Sequence, residues 1–269
     1  MVSPWNAGPV ASRSPSQGKP LTRRGRCATA SILLAGLVAV SGCGGTVEPR
    51  AARGHASAEC PQGQALVRRA LARSHLRVDV TGDGRPDTVA AASAPGAAKP
   101  CRGFVGVRVT GAGTYSTHLI PAAVPIKGIR ARVVGVPHLG QRPGAEIVVD
   151  TGGAADAVLA QMFTFSGGRL RALHVPDQPD GSFIIEGGGL LYPRGAGCTA
   201  DGRLLLSQAA QTKDGKRFRV TRRIYELGRG GQRFTSPVVE RATVPVNRLG
   251  ARFPEFVGPH WTACTSSPA

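Results

Sequence analysis

Acidic residues are scarce in this sequence: 16 aspartates and glutamates face 34 lysines and arginines, giving a formal net charge of +18 over 269 residues. Lysine is scarcer still, with only five, so the basic charge is almost all arginine. Aromatics make up 5% of the chain, and there is no basic helix, zinc-finger spacing or aromatic-rich strand motif, so nucleic acid is not an expected partner. No G-x-S-x-G, H-E-x-x-H or G-x-x-x-x-G-K-[ST] occurs, which removes the sequence signatures of a nucleophile elbow, a zinc helix and a phosphate loop. Gly187-Gly188-Gly189 lacks the lysine and hydroxyl of a phosphate loop and reads as a bulge or bend between strands. His55, His75, His118, His138, His174 and His260 are scattered without metal-ligand spacing. No cysteine pair forms a C-x-x-C half-site, so a zinc cluster is not expected either. Beyond Val40 no apolar run is long enough to cross a bilayer.

What is present begins with an address. Residues 1–42 carry only positive charges, then an apolar run from Ala28 to Val40 and the small residues Ser41 and Gly42 before Cys43. A basic segment, a short apolar core and small residues describe an export leader rather than a spanning helix. Val40-Ser41-Gly42-Cys43 resembles the lipobox of bacterial lipoproteins, which implies that the Cys43 thiol receives a diacylglyceryl group and becomes the first residue of the mature chain. Two acyl chains supply the double signal that stable anchoring needs. Residues 43–59, rich in glycine, alanine, arginine and serine, read as a flexible tether, and residues 60–269 as one domain. The expected location is the outer face of the cell membrane of a GC-rich Gram-positive bacterium. The charge left after the leader is removed is still strongly basic. It reads either as attraction to an anionic cell-wall polymer or as the arginine-rich composition of GC-rich genomes. Cys27 leaves with the leader and lipid takes Cys43, so Cys60, Cys101, Cys198 and Cys264 remain for two disulfides. Of three possible pairings, Cys60–Cys101 and Cys198–Cys264 are favoured because each fastens one end of the domain to its body.

A helix is expected over Pro61–Ser74, with Ala65, Leu66, Ala70 and Leu71 on one face. After it, short β-branched and apolar runs prevail at 104–110, 146–150, 158–165, 182–185, 203–207 and 217–225, separated by Gly-Gly and Asp-Gly turns. Shifting the sequence by 59 residues lays Asp87-Thr88-Val89-Ala90 on Glu146-Ile147-Val148-Val149. Doubling the shift lays Thr81-Gly82-Asp83-Gly84-Arg85 on Thr199-Ala200-Asp201-Gly202-Arg203. The expected fold is mainly β, a β-propeller-like stack of short antiparallel sheets, its closure left open, with one N-terminal helix.

The stretch with the clearest chemistry is Asp79-Val80-Thr81-Gly82-Asp83-Gly84-Arg85-Pro86-Asp87. Calcium takes six to eight oxygens, and a tight loop turns the oxygens of alternate residues inward around a glycine. Asp79, Thr81, Asp83, the carbonyl of Arg85 and Asp87 are the expected ligands of a structural Ca²⁺. Ala90 stands where an EF-hand has its glutamate, and a strand follows, so this is no EF-hand. The pattern resembles the FG-GAP or VCBS-type repeat of integrin-like propellers, and the resemblance implies a chiefly structural ion that cross-links a loop between strands. In the second copy His138, Gly140 and Arg142 replace Asp79, Thr81 and Asp83, so that copy is not expected to bind calcium. The expected function is a surface binding module for a wall polymer or another surface protein. The rival is a hydrolase, acting for instance on carbohydrate, using carboxylates such as Glu146, Asp150 and Asp156. Trp261 is expected to pack at the chain end, the alternative being an exposed sugar-gripping ring.

Overall fold

Pro61 and the helix-forming residues after it give α1, Gly63–Arg73, in the computed structural model, which describes residues 60–120, 131–140, 142–154, 156–178 and 181–264. The leader, Cys43 and the tether expected over residues 1–59 lie outside the described residues. The expected helix face is corrected at one position. Ala65 is exposed, and Gly63, Val67 and Leu71 are the fully buried residues. Their spacing of four places them in one line along the helix. Gly106 lies beneath that line, where a Cβ would stand 2.1 Å from Val67 Cγ1, so only glycine lets the helix settle this close.

Three antiparallel meanders follow. The first is β1 (Arg77–Val78), β2 (Asp87–Ser93), β3 (Gly103–Val109) and β4 (Gly113–His118), a separate four-stranded sheet. The second is β5 (Arg132–Gly135), β6 (Ile147–Ala154), β7 (Ala157–Ser166) and β8 (Arg169–Leu173). The third is β10 (Arg194–Cys198), β11 (Leu204–Gln211), β12 (Arg217–Tyr225) and β13 (Val238–Pro245). Between them β9 (Ser182–Gly187) pairs with both β7 and β10, joining the second and third meanders into one nine-stranded sheet. The chain is thus mainly β, with two antiparallel sheets and few helices. Neither sheet's described strands return to pair with the first, so no closed barrel or ring forms among them.

Side-chain alternation explains how the meanders stack. Ile147 and Val149 of β6, with Phe163 and Phe165 of β7, share a core with Val89, Val105 and Val107 of the first meander. Val148 and Met162, the neighbours with opposite parity, share a core with Leu204, Leu206 and Tyr225 of the third. Because successive strand residues face opposite sides, β6 is covered on both faces, which is why it reads as a continuous apolar run. The outer faces are capped. Val67 and Leu71 of α1 cover Ala90 and Phe104 at one end. At the other, Leu249 of the short helix α2 (Leu249–Arg252) and Phe253 cover Ala209, Phe218, Val220 and Val244. Disulfides Cys60–Cys101 and Cys198–Cys264 fasten the two ends, the pairing favoured from sequence. No described helix is long and apolar enough to cross a membrane.

Candidate cation loop and its buried echo

The loop between β1 and β2 is shaped by its own carboxylates. Asp79 Oδ1 accepts the Gly82 N–H at 2.6 Å and the Thr81 hydroxyl at 3.2 Å, while its Oδ2 accepts the Gly84 N–H at 2.7 Å. Asp87, wholly buried, closes the loop from the other side. Its Oδ2 accepts the N–H groups of Val80 (3.2 Å) and Thr81 (3.3 Å), and its Oδ1 accepts that of Thr110 at 3.0 Å. Asp83 at the exposed tip accepts the Arg85 N–H at 2.9 Å through Oδ1. Gly82 and Gly84 both have φ of +80°, a backbone conformation that a side chain would strain. The Arg85 side chain lies over Gly111, where a Cβ would be 3.2 Å from Nη1.

The 59-residue echo recurs as geometry. Val78 pairs with Asp87 in the first loop, and Glu146 N donates to Pro137 O at 2.8 Å in the second. Asp87 accepts from Val80 N, and Glu146 Oε2 accepts from Leu139 N at 2.9 Å. Each second-loop residue is the first-loop residue shifted by 59. The loops also stack on one another. Ala145 N donates to Asp79 O at 2.8 Å, and Gly140 N donates to Gly202 O at 2.8 Å in the β10–β11 turn. Gly144 permits the first of these contacts, since a Cβ there would be 2.7 Å from Val80 O. In the third loop Leu205 takes the place of the closing carboxylate, and Thr199 caps the turn through Arg203 N at 3.1 Å.

The second loop carries its own cation. Arg142 Nη1 lies 3.5 Å from Glu146 Oε1 and also donates to the Thr164 hydroxyl, while Nη2 donates to Phe165 O at 3.0 Å. Burial pushes the Glu146 carboxyl up to about 7, outweighing the Leu139 N–H and the Arg142 charge, which act the other way. The sequence marked Arg142 as a residue in a ligand's place. It did not reveal that the guanidinium meets Glu146, because Thr164 and Phe165 come from a strand twenty residues on. The i,i+4 spacing of Arg142 and Glu146 is the one local signal of the pair.

Among the described residues no ion pair involves Asp79, Asp83 or Asp87. Nor do three described His, Cys, Asp or Glu side chains gather as a metal-ligating group. A carboxylate offers about four lone pairs. The hydrogen bonds above engage three on Asp79, three on Asp87 and one on Asp83. Each therefore keeps at least one for a cation, and the donor set is all oxygen, the kind calcium takes.

The carboxylates of the hydrolase reading do not share an open cleft. Glu146 is fully buried against Arg142. Asp150 is engaged by Arg132 Nη2 at 3.4 Å and by Gly152 N at 2.8 Å, and Asp156 stands in the exposed β6–β7 turn. Trp261 is 5% exposed and packs on Gly135, so it serves the core and not a sugar. No protein-family model matches the chain, and neither a curated protein nor a solved structure does.

Proposed function

We propose that the chain is an exported, lipid-anchored β-domain whose 79–87 loop binds a structural Ca²⁺ and whose stacked meanders present loops to a partner at the cell surface. The observation that supports the ion is the contrast between the two echoing loops. The second meets its closing carboxylate with Arg142, whereas the first sets three aspartates within nine residues of chain with no cationic side chain among the described ion pairs. Asp79, Thr81, Asp83, the Arg85 carbonyl and Asp87 would hold the ion, as in the FG-GAP or VCBS-type repeats this stretch resembles. The bound cation neutralises their mutual repulsion and ties the loop to the start of β2. The anchor rests on Val40-Ser41-Gly42-Cys43, and the basic charge favours an anionic wall polymer as partner.

Calcium at about 100 times its Kd should raise unfolding free energy by roughly 2.7 kcal/mol. Asp83→Ala should remove that increment while leaving the fold intact at lower temperature, because its side chain is exposed. Calorimetry that shows no heat on adding Ca²⁺, or an undiminished increment in the variant, would defeat the loop assignment. For the anchor, labelled fatty acid fed to its own host should be incorporated into the parent chain and not into Cys43→Ser; a parent chain that takes up no label counts against lipidation.

A further inference from the structure

One end of the nine-stranded sheet carries a feature that the calcium loop does not use. The β6–β7 turn, the end of β9, the start of β10, the β11–β12 hairpin and the end of β13 are successive neighbours in register, so they form one continuous rim. From that rim Leu190, Leu191 and Tyr192 project with 91%, 54% and 63% of their surface exposed. These are consecutive residues in the β9–β10 connection, and burying them in water's absence is what such side chains gain most from. The connection is built, not loose. Gly187, Gly188 and Gly189 take φ of +113°, +86° and +70° in succession, turning the chain out of β9. A Cβ on Gly187 would lie 1.8 Å from Asp156 O and one on Gly188 would lie 2.3 Å from Tyr192 O, so the arch closes only with glycine. Its return limb is fixed by Gln211 N donating to Leu191 O at 3.0 Å and Ala209 N donating to Pro193 O at 2.9 Å.

The rim around the finger carries more cations than carboxylates, with the Asp156 carboxylate against Gly189 at the finger's base. Lys213, Lys216 and Arg217 occupy the adjoining hairpin, Arg248 follows β13, and Arg194 opens β10, all exposed. Asp156, Glu186 and Asp214 are the carboxylates on the same rim. Asp214 is turned into its own hairpin, accepting the Thr212 hydroxyl at 2.6 Å and the Lys216 N–H at 3.1 Å. Val246, 40% exposed, adds a further apolar side chain beside Lys216. Apolar tips that enter the acyl boundary, ringed by lysine and arginine that meet phosphate, are the composition of a bilayer-contacting surface. Tyr192 suits that level, with an apolar ring and a polar hydroxyl.

We propose that the Leu190-Leu191-Tyr192 finger and its cationic rim dock this domain onto an anionic phospholipid bilayer. The reading deepens the membrane address given above but not the lipid anchor, so the two can fail separately. A full-length Cys43→Ser chain, which removes lipidation, is mixed with vesicles of phosphatidylglycerol in phosphatidylcholine and with vesicles of phosphatidylcholine alone. It should partition preferentially onto the anionic vesicles, less so at high salt. Adding Leu190→Asp and Leu191→Asp should lower partitioning by about tenfold or more. Any contribution of the N-terminal apolar run is common to both chains, so the difference reports the finger. Leu190→Trp gives a local readout: its emission should shift to the blue on anionic vesicles relative to the parent chain. Equal partitioning by the double-aspartate variant, or no blue shift at position 190, would overturn the proposal. So would binding of soluble polyphosphate that survives the aspartates while vesicles are ignored, because that assigns the rim to a polyanion in solution.

Discussion

Replacing both Cys198 and Cys264 by alanine lowers the unfolding free energy by about 4 kcal/mol in urea titrations under oxidising conditions. The bridge spans 66 residues, and closing a loop of that length in the unfolded chain is worth about this much in the chain-entropy description. The figure is large because the bridge also holds a strap. Residues 253–264 run back across β10, with Cys198 N donating to His260 O at 3.0 Å and His260 N donating to Ala196 O at 2.9 Å. Both cysteines lie inside the core cluster that contains Tyr225 and Trp261. The strap has a second tether: buried Glu255 accepts the Ser207 hydroxyl at 2.7 Å and Arg222 Nε at 3.1 Å. The alanine variant should therefore fold at low temperature while its C-terminal segment becomes open to protease. A loss below about 1 kcal/mol would mean that the strap is held by packing, with little chain-entropy contribution. The Cys60–Cys101 bridge spans 41 residues. Its closure term is smaller by only about 0.4 kcal/mol, since the cost grows with the logarithm of length.

The same strap explains which strands the sequence concealed. β2, β3, β6, β7, β9, β11 and β12 are legible as apolar or β-branched runs between turns, or through their pairing in the 59-residue echo. β10 is Arg-Gly-Ala-Gly-Cys, with none of the residues that favour strands. Its glycines answer a tertiary demand: a Cβ on Gly195 would stand 2.0 Å from Glu255 O, and one on Gly197 would stand 2.5 Å from His260 O. A strand crossed this closely by another backbone must give up its side chains on that face, and with them its local signal. β4 and β8 are hidden for a different reason. They pair with strong neighbours, but β4 is polar and mostly half-buried and β8 buries only Leu170 and Leu173 between exposed residues, so neighbouring strands supply their stability.

The loop is legible in the opposite way. Its Asp and Gly spacing is purely local, and Asp79, Asp83, Gly82 and Gly84 act within nine residues of chain. What the spacing does not convey is that Asp87 reaches the Thr110 N–H just past the end of β3. Nor does it convey that the loop is pinned from outside by Ala145. Asp87 is thus as much a structural acceptor as an expected ligand. The apolar finger escaped for want of any periodicity: three consecutive apolar residues, Leu190-Leu191-Tyr192, do not show in the sequence which way they face, and it is the glycine arch that turns them outward.

Between pH 4.5 and 8 the stability advantage of a Glu146→Gln variant over the parent should grow by about 3 kcal/mol. The sign follows from burial. The Glu146 carboxyl is raised from 4.5 to about 7 in the folded protein because desolvation exceeds the pull of Arg142. Below pH 4.5 the group is protonated whether the chain is folded or not, and the favourable contribution is fully present. As pH rises towards 7 the unfolded chain has lost the proton and the folded chain keeps it, so stability falls. Above 7 the carboxylate is charged in both states and the loss is complete. A shift of this size corresponds to about 3 kcal/mol by linkage. Glutamine retains an oxygen for the Leu139 N–H but sets its amide nitrogen beside Arg142, a cost that does not vary with pH. The informative quantity is therefore the pH dependence of the difference and not its value at one pH. Should parent and variant unfold with parallel pH profiles, Glu146 is ionised throughout that range. The Arg142 guanidinium, fixed by Thr164 and Phe165, would then dominate the second loop, as the ion is proposed to do in the first.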